Sequence, residues 1–323
     1  MTLEIIKVNI NSSAEWRDFL SSNYNMFFDG KFLEYNDKFN KGIKWHHLIF
    51  KDKYKTVAIL NGNERIEKDE KVYVSCDGVS FGGFMWTDKI KINDMNNVIN
   101  LFKNYLIDND FTKCIIRNPP FLYRLHTNEE YEYVLLSEGF SVNKYAITNI
   151  IDLSSFEFEK LKNSKKRSIQ KSAEIIEIDL VEDAVSEKSL GDFYNILHSN
   201  RELKNVVPTH SLEELVFLKN NLPDKIKLFT AKIENEIVGI CTLFLIKKDV
   251  VLNFYLAADE EHKRNRVSDY LLYYSIEWSK EKNFRIYDIG TSSVDDRLLQ
   301  GLFDFKKKFR ADGFLRKSYT LKL

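Results

Sequence analysis

KIKLFTAKIENEIVGICTLFLIKKDVVLNFYLAA occupies residues 225–258. It reads as three strands separated by two tight turns. KIKLFTAKI alternates apolar and polar residues, the pattern of a half-buried strand. Glu234-Asn235 supplies the first turn, EIVGICTLFLI the second strand, Lys248-Asp249 the second turn and VVLNFYLAA the third strand. Strands of this length joined by turns this short predict an antiparallel meander.

Downstream, the charged loop DEEHKRNR (259–266) leads into Val267, Tyr270, Leu271, Tyr274 and Trp278. That spacing predicts a helix over about residues 266–282. FRIYDIG (284–290) is the next strand, and it runs into Gly-Thr-Ser-Ser. A glycine there permits close approach to the backbone. Three hydroxyls follow it at the carboxyl end of a strand, where α/β sheets place ligands. Leu298, Leu302, Phe305 and Phe309 predict a helix with one apolar face, Gly313 its stop and KSYTLKL (317–323) a last strand.

The first half repeats the order. KWHHLIF (44–50), TVAILNG (56–62) and KVYVSC (71–76) read as strands, and SFGGF (80–84) as a glycine loop. Met95, Val98, Ile99, Phe102, Tyr105 and Leu106 mark a helix with Asp94 as N-cap, and KCIIRNPP (113–120) a strand closed by two prolines. Three strands, a loop, a helix and a strand thus occur twice, which predicts an internal duplication. Between the copies lie a strand, ITNIIDL (147–153), and a basic helix within SSFEFEKLKNSKKRSIQKSAEII (154–176). Two more helices follow. One carries Leu190, Phe193, Tyr194 and Leu197; the other opens on Ser211 and Glu214 at capping-box spacing and ends before Pro223.

The composition is that of a folded chain long enough for two domains: 323 residues, 44% apolar, 30% charged, with only 4 Pro. Net charge is +0, so no global field draws in nucleic acid or a membrane surface, and any basic patch is local. Cys76, Cys114 and Cys241 are scattered and odd in number, which reads as reduced core thiols in a cytoplasmic protein rather than a metal site. MTLEIIKVNINSS lacks the form of a signal peptide, and no apolar run reaches the roughly 20 residues of a membrane span. The six His are dispersed apart from His46-His47, so no metal is expected.

The order strand–strand–strand–loop–helix–strand resembles the core of the GNAT acyltransferase superfamily. Five segments are similar to its FemABX-like, tandem-domain branch: SFGGF, PPFLYRLHTNEEYEYVLLSEGF (119–140), KKRSIQKSAE (165–174), VVPTHSLEEL (206–215) and YDIGTSSVDDRLLQGLFDFKKKF (287–309). Together they span roughly residues 75–310. The resemblance implies an α/β (α+β) fold with two GNAT-like domains, each a mixed, mainly antiparallel sheet flanked by helices. The N-terminal domain would cover 1–150. The C-terminal one, 151–323, would carry the helical connector and the acyl-CoA site.

In that family the third strand and the strand after the helix splay apart, the pantetheine arm lies in the gap, and the loop and helix N-terminus hold the pyrophosphate. Free N–H groups and the helix dipole favour an anion there. The resemblance therefore assigns coenzyme A to Tyr255, Leu256, Ala257, Lys263, Arg264, Asn265, Arg266, Val267 and Ser268. The usual loop reads Arg/Gln-x-x-Gly-x-Gly/Ala, and this one has no glycine, so side chains such as Lys263, Arg264 and Arg266 take more of the load. Backbone N–H groups of residues 255–258 would polarise a thioester carbonyl.

Candidate bases for the attacking amine are His198, His210 and Asp288; a water relay without a dedicated base is the alternative. Asp288 is equally readable as a structural carboxylate that orients its loop. Thr291 and Ser292, with Ser293, would meet the sugar or the carbonyl oxygen. The basic segment Lys162–Lys171, with Lys165 and Arg167, reads either as a solvated helix face or as a patch that grips a nucleotide diphosphate or a tRNA acceptor stem. Tyr123 and His126 would stack on or bond to a base or sugar, or simply pack. Cys241 reads as a buried structural thiol.

The chain looks most similar to the sugar N-acyltransferases that put a 3-hydroxybutanoyl group on a dTDP-3-amino-3,6-dideoxyhexose for surface polysaccharide. Expected partners are acyl-CoA and a nucleotide-linked amino sugar, without nucleic acid or membrane insertion. The alternatives are a tRNA-dependent aminoacyltransferase of peptidoglycan precursors and a non-catalytic GNAT-like module.

Overall fold

A computed structural model describes residues 3–88, 90–123 and 129–323. The chain forms two compact units, Met1–Ile147 with Leu315–Leu323, and Thr148–Phe314.

The first unit begins with β1 (Leu3–Val8), α1 (Ala14–Ser22), α2 (Gly30–Phe39), β2 (Lys44–Trp45), β3 (His47–Asp52), β4 (Lys55–Leu60), β5 (Asn63–Glu67), β6 (Glu70–Ser75) and β7 (Phe84–Trp86). It continues with α3 (Ile92–Asp108), β8 (Lys113–Arg117), α4 (Glu130–Ser137) and β9 (Ser141–Asp152), along which the chain passes into the second unit. KWHHLIF is thus two strands that break at His46, and TVAILNG leaves one sheet at Asn61-Gly62 to enter another as β5. One sheet has the order β1-β3-β4-β7, and β8-β6-β5-β2 are neighbours in the other. β6 and β8 run parallel and stay paired from Val72↔Lys113 to Ser75↔Ile116. A core of Leu48, Phe50, Phe102, Val134 and their neighbours lies beneath α3 and α4. Asp94 is not the cap of α3: the helix starts at Ile92, and Asp94 sits in its first turn, where a carboxylate still meets the helix dipole.

The second unit contains α5 (Asn163–Ala173), β10 (Glu177–Val181), α6 (Glu187–Glu202), α7 (Leu212–Asn221), β11 (Ile226–Ile233), β12 (Glu236–Leu245), β13 (Val250–Ala258), α8 (Val267–Glu281) and β14 (Ile286–Thr291). A small hairpin, β15 (Ser293–Val294) with β16 (Arg297–Leu298), precedes α9 (Gln300–Lys307) and β17 (Asp312–Lys322). The sheet order is β10-β11-β12-β13-β14-β9, and the antiparallel meander expected of residues 225–258 is present as β11–β13. Alternation sorts β12 between two layers. Cys241, Leu243 and Leu245 join the core under α5 and α8, while Phe244 meets His210, just ahead of α7. Ser211 and Glu214 form the capping box of α7.

Three expectations need correction. The basic segment is helical only over α5, because a 3₁₀ turn at Phe158–Lys160 precedes it. Leu298 lies in the hairpin, Leu302 is 39% exposed and Phe309 falls after the end of α9, so on the helix itself Phe305 packs against the core, with buried Phe309 following it. Gly313 lies within β17, not at a helix end. That strand returns the chain to the first unit, pairing with β8 from Ser318↔Arg117 to Lys322↔Lys113. All three cysteines are free and buried.

Candidate functional site

β13 and β14 are parallel neighbours, but only at their first halves. Val250↔Ile286, Val251↔Tyr287 and Leu252↔Asp288 pair; beyond them β13 runs on to Ala258 and β14 to Thr291 without a shared register. Both strands are bent at this level. On β13 the register to β12 slips between Asn253 and Tyr255, which leaves Phe254 as a bulge. On β14 the register to β9 slips between Asp288 and Thr291, and Gly290 takes φ +84°. A side chain is strained at such a φ, whereas glycine is not. The result is a wedge between the two strands, open beyond Leu252 and Asp288.

The free edge of β13 has a defined polarity. The Asp259 N–H donates to Val238 O at 2.9 Å, on the β12 side, while the Ala258 carbonyl points away and accepts from Asn200 Nδ2 at 3.3 Å. Alternation along a strand then turns the Leu256 and Ala258 N–H groups toward the wedge, and Tyr255 and Ala257 toward β12.

The β14 side is held by buried polar groups. Asp288 Oδ1 accepts from the Gly290 N–H at 2.7 Å and from Thr148 Oγ1 at 2.5 Å, and the residue is fully buried. Ser292 donates its hydroxyl to Asn149 Oδ1 at 2.6 Å. Lys306 of α9, 4% exposed, donates to the carbonyls of Gly290 and Thr291 at 2.7 and 2.8 Å. Asp288 is therefore a bulge-holding carboxylate, and the Ser292 hydroxyl is committed inside the fold. Thr291 is half-buried at the end of β14.

At the far end of β13 a 3₁₀ turn, Lys263–Asn265, leads into α8 through Arg266, which adopts φ +54°. Arg266 thus takes, without a glycine, a left-handed conformation that side chains rarely adopt. No side chain caps α8, and the N–H groups of Val267 and Ser268 have no acceptor among the described residues. Arg264 and Arg266 are exposed beside them, and Lys263 pairs with Glu260. Gly239 on β12 lets this helix start sit close, because a Cβ there would meet Val267 Cγ1 at 2.5 Å.

Lys165 is engaged within the fold. Its ammonium is buried 2.7 Å from Asp269 Oδ1, in the first turn of α8, and lies over the Phe309 ring at 4.7 Å. Burial draws it below the usual lysine range despite the pull of Asp269. Its physical effect is to neutralise a carboxylate beside the free N–H groups. Ser172 of α5 adds a 2.7 Å bond to the Asn265 carbonyl, which fixes the turn. Arg167 is exposed on α5.

Of the candidate bases, His210 is the one held against β13. It is 2% exposed, its Nδ1 lies 3.0 Å from the Tyr255 hydroxyl and its backbone N–H donates to that hydroxyl at 3.1 Å. Burial pushes the imidazole down to about 4 and the Tyr255 phenol up to about 12. Both are neutral at pH 7. His198 sits at the surface of α6 with Glu202, its side chain 54% exposed. Tyr123 is buried in the first unit, edge-on to Phe81, and His126 lies outside the described residues. Among the described residues no cluster suits a metal ion, and no helix is long and apolar enough to cross a membrane.

Sequence reasoning missed Lys306, Thr148 and Asn149. Lys306 hides in a run of lysines that reads as a solvated face; the others sit in segments far from β14 in sequence and carry no local pattern.

No family model and no curated protein matches this sequence. Solved structures do. The chain superposes on a structure of FemX with TM-score 0.72 at 11% identity, covering 99% of this chain and 97% of that one. A tandem GNAT protein from the clavulanic acid biosynthesis pathway gives 0.58 at 8% identity, covering 99% and 98%. L-PGS from Bacillus licheniformis gives 0.60 at 13% identity, covering 96% and 91%. The fold is therefore that of tandem GNAT proteins over nearly its whole length.

Proposed function

We propose that this protein is an acyl-CoA-dependent N-acyltransferase that acylates the amino group of a nucleotide-linked amino sugar. The observation that carries the reading is the wedge between β13 and β14, which ends at an uncapped helix start. The residues present suit the donor: free N–H groups of Val267 and Ser268, the left-handed turn at Arg266 and the exposed Arg264 and Arg266 for phosphate, with an unpaired strand edge for the amide-bearing arm. In the first unit the parallel pair β6–β8 stays paired to Ser75, which supports assigning the donor site to the second unit.

Acyl-CoA supplies a thioester activated toward amines. The Leu256 N–H, with Ala258 behind it, would donate to the thioester carbonyl oxygen, so that a C–N bond forms to the amine as the C–S bond breaks and CoA leaves as its thiol. Asp288 and Lys306 keep the opposite wall fixed, which preserves the approach geometry. His210, neutral and weakly basic, orients Tyr255, and the amine loses its proton to water. Calorimetry with CoA, followed by mass spectrometry against a panel of acyl-CoAs and dTDP- or UDP-amino sugars, tests this. Absence of CoA binding by the full chain sinks it.

A second reading, transfer of an aminoacyl group from tRNA, follows from the resemblance of the five sequence segments to the FemABX-like branch. A salt-sensitive tRNA complex, with no CoA affinity, would favour that alternative.

A further inference from the structure

The grip on acceptor charge expected of Lys165 is spent on Asp269, but another cation is uncommitted. Arg201 lies near the end of α6 and is only partly exposed. Its guanidinium has no hydrogen bond or ion pair among the described residues and lies over the Tyr255 ring at 5.7 Å. Burial draws it below the usual arginine range, opposed only by Tyr255. Tyr255 is the first residue after the bulge, on the stretch of β13 that has left β14. The neighbouring Asn200 ties the helix end to the Ala258 carbonyl and accepts from Lys204 Nζ at 2.7 Å. Burial and Arg201 both lower Lys204, against the pull of Glu260.

A guanidinium held partly out of water without a counter-ion destabilises a fold unless an anion arrives. We propose that Arg201, with Lys204 beside it, receives a negatively charged oxyanion, phosphate or carboxylate, of the acyl acceptor at the open end of β13. The proposal rests on the wedge being the reaction centre. The planar fork of Arg201 suits two oxygens at once. Lys204 adds charge, and the stacking on Tyr255 fixes the fork relative to the strand edge. Arg201 is a specificity-determining residue on this account, and an amine lacking an anionic group is a poor acceptor.

The test is calorimetric titration of the full chain with inorganic pyrophosphate and, separately, with acetate. It compares wild type, Arg201→Gln, Arg201→Lys and the Arg264→Ala/Arg266→Ala double variant, with and without saturating CoA. With CoA saturating its own phosphate site, we expect one of the anions to bind wild type, to bind Arg201→Gln at least tenfold more weakly and to be less weakened in Arg201→Lys; it is on these CoA-saturated titrations that the role of Arg201 is judged. Pyrophosphate identifies a phosphate-bearing acceptor and acetate a carboxylate. Arg201→Gln should also melt no lower than wild type, because it removes an uncompensated charge. Anion binding unchanged by Arg201→Gln, or absent from wild type, overturns the proposal, as does a lower melting temperature with anion binding intact. Failure of CoA to bind instead sinks the reading of the wedge, while anion titration of the double variant with and without Arg201→Gln added, in the absence of CoA, still decides the role of Arg201.

Discussion

Asp288 Oδ1 accepts the N–H of Gly290, two residues further along the same strand, at 2.7 Å. This bond closes the bend that turns β14 away from β13, and Thr148 Oγ1 shares the same oxygen. Asp288→Ala strands both donors inside the fold and should cost about 2–3 kcal/mol in denaturant unfolding. Asp288→Asn keeps an acceptor oxygen in place and should cost less than about 1 kcal/mol. The same pair separates two roles. If Asp288→Asn keeps near-normal turnover, the carboxylate positions the strand; loss of turnover with normal stability would make it the base.

The loop before α8 offers a contrast of backbone and charge. Arg266→Gly should raise the unfolding midpoint, since it relieves about 1 kcal/mol of left-handed strain, and Arg266→Val should lower it. Arg264→Ala with Arg266→Ala should weaken CoA binding at least tenfold, most visibly at low salt, while circular dichroism stays unchanged. CoA affinity that ignores both arginines would move the phosphate elsewhere.

Breaking the buried pair at the start of α8 has two readouts. Lys165→Met leaves Asp269 uncompensated and should cost about 3–5 kcal/mol, with much of that recovered in Lys165→Met/Asp269→Leu. CoA affinity should fall in the single variant, where a bare carboxylate faces phosphate, and return in the double. A single variant as stable as wild type would contradict the pairing.

His210 makes stability depend on pH. Its folded-state value, about 4, lies below the unfolded value of 6.5. Folding thus favours the neutral ring. The contribution is complete above about pH 6.5, shrinks as pH falls from there, and is gone below about pH 4. Its size is about 3 kcal/mol at most. His46 and His47, held down to about 4 and about 3 by burial, act in the same direction. His210→Phe should therefore flatten the loss of stability between pH 6.5 and 4 relative to wild type, followed by urea midpoints. An unchanged slope would show that the ring charges without leaving the fold.

The meander and its helix were legible in the sequence because period-two and period-3.6 patterns are local properties of β11–β13 and α8. The loop at Lys263–Asn265 was legible as a charged run before a helix. What it lacked in glycine turned out to be a left-handed arginine, which composition cannot reveal. Lys165 was misjudged for a physical reason. A lysine on a basic helix looks solvated, and only packing against Asp269 and Phe309 shows that it is buried. Arg201 was invisible because its proposed role rests on the lack of a hydrogen-bond or ion-pair partner among the described residues, which is a three-dimensional fact.

The return of β17 to β8 has a consequence for biosynthesis. Residues 315–323 emerge from the ribosome after the whole of Thr148–Phe314 has been made. Until then β8 waits with one edge unsealed, so the unit translated first is the last to be completed.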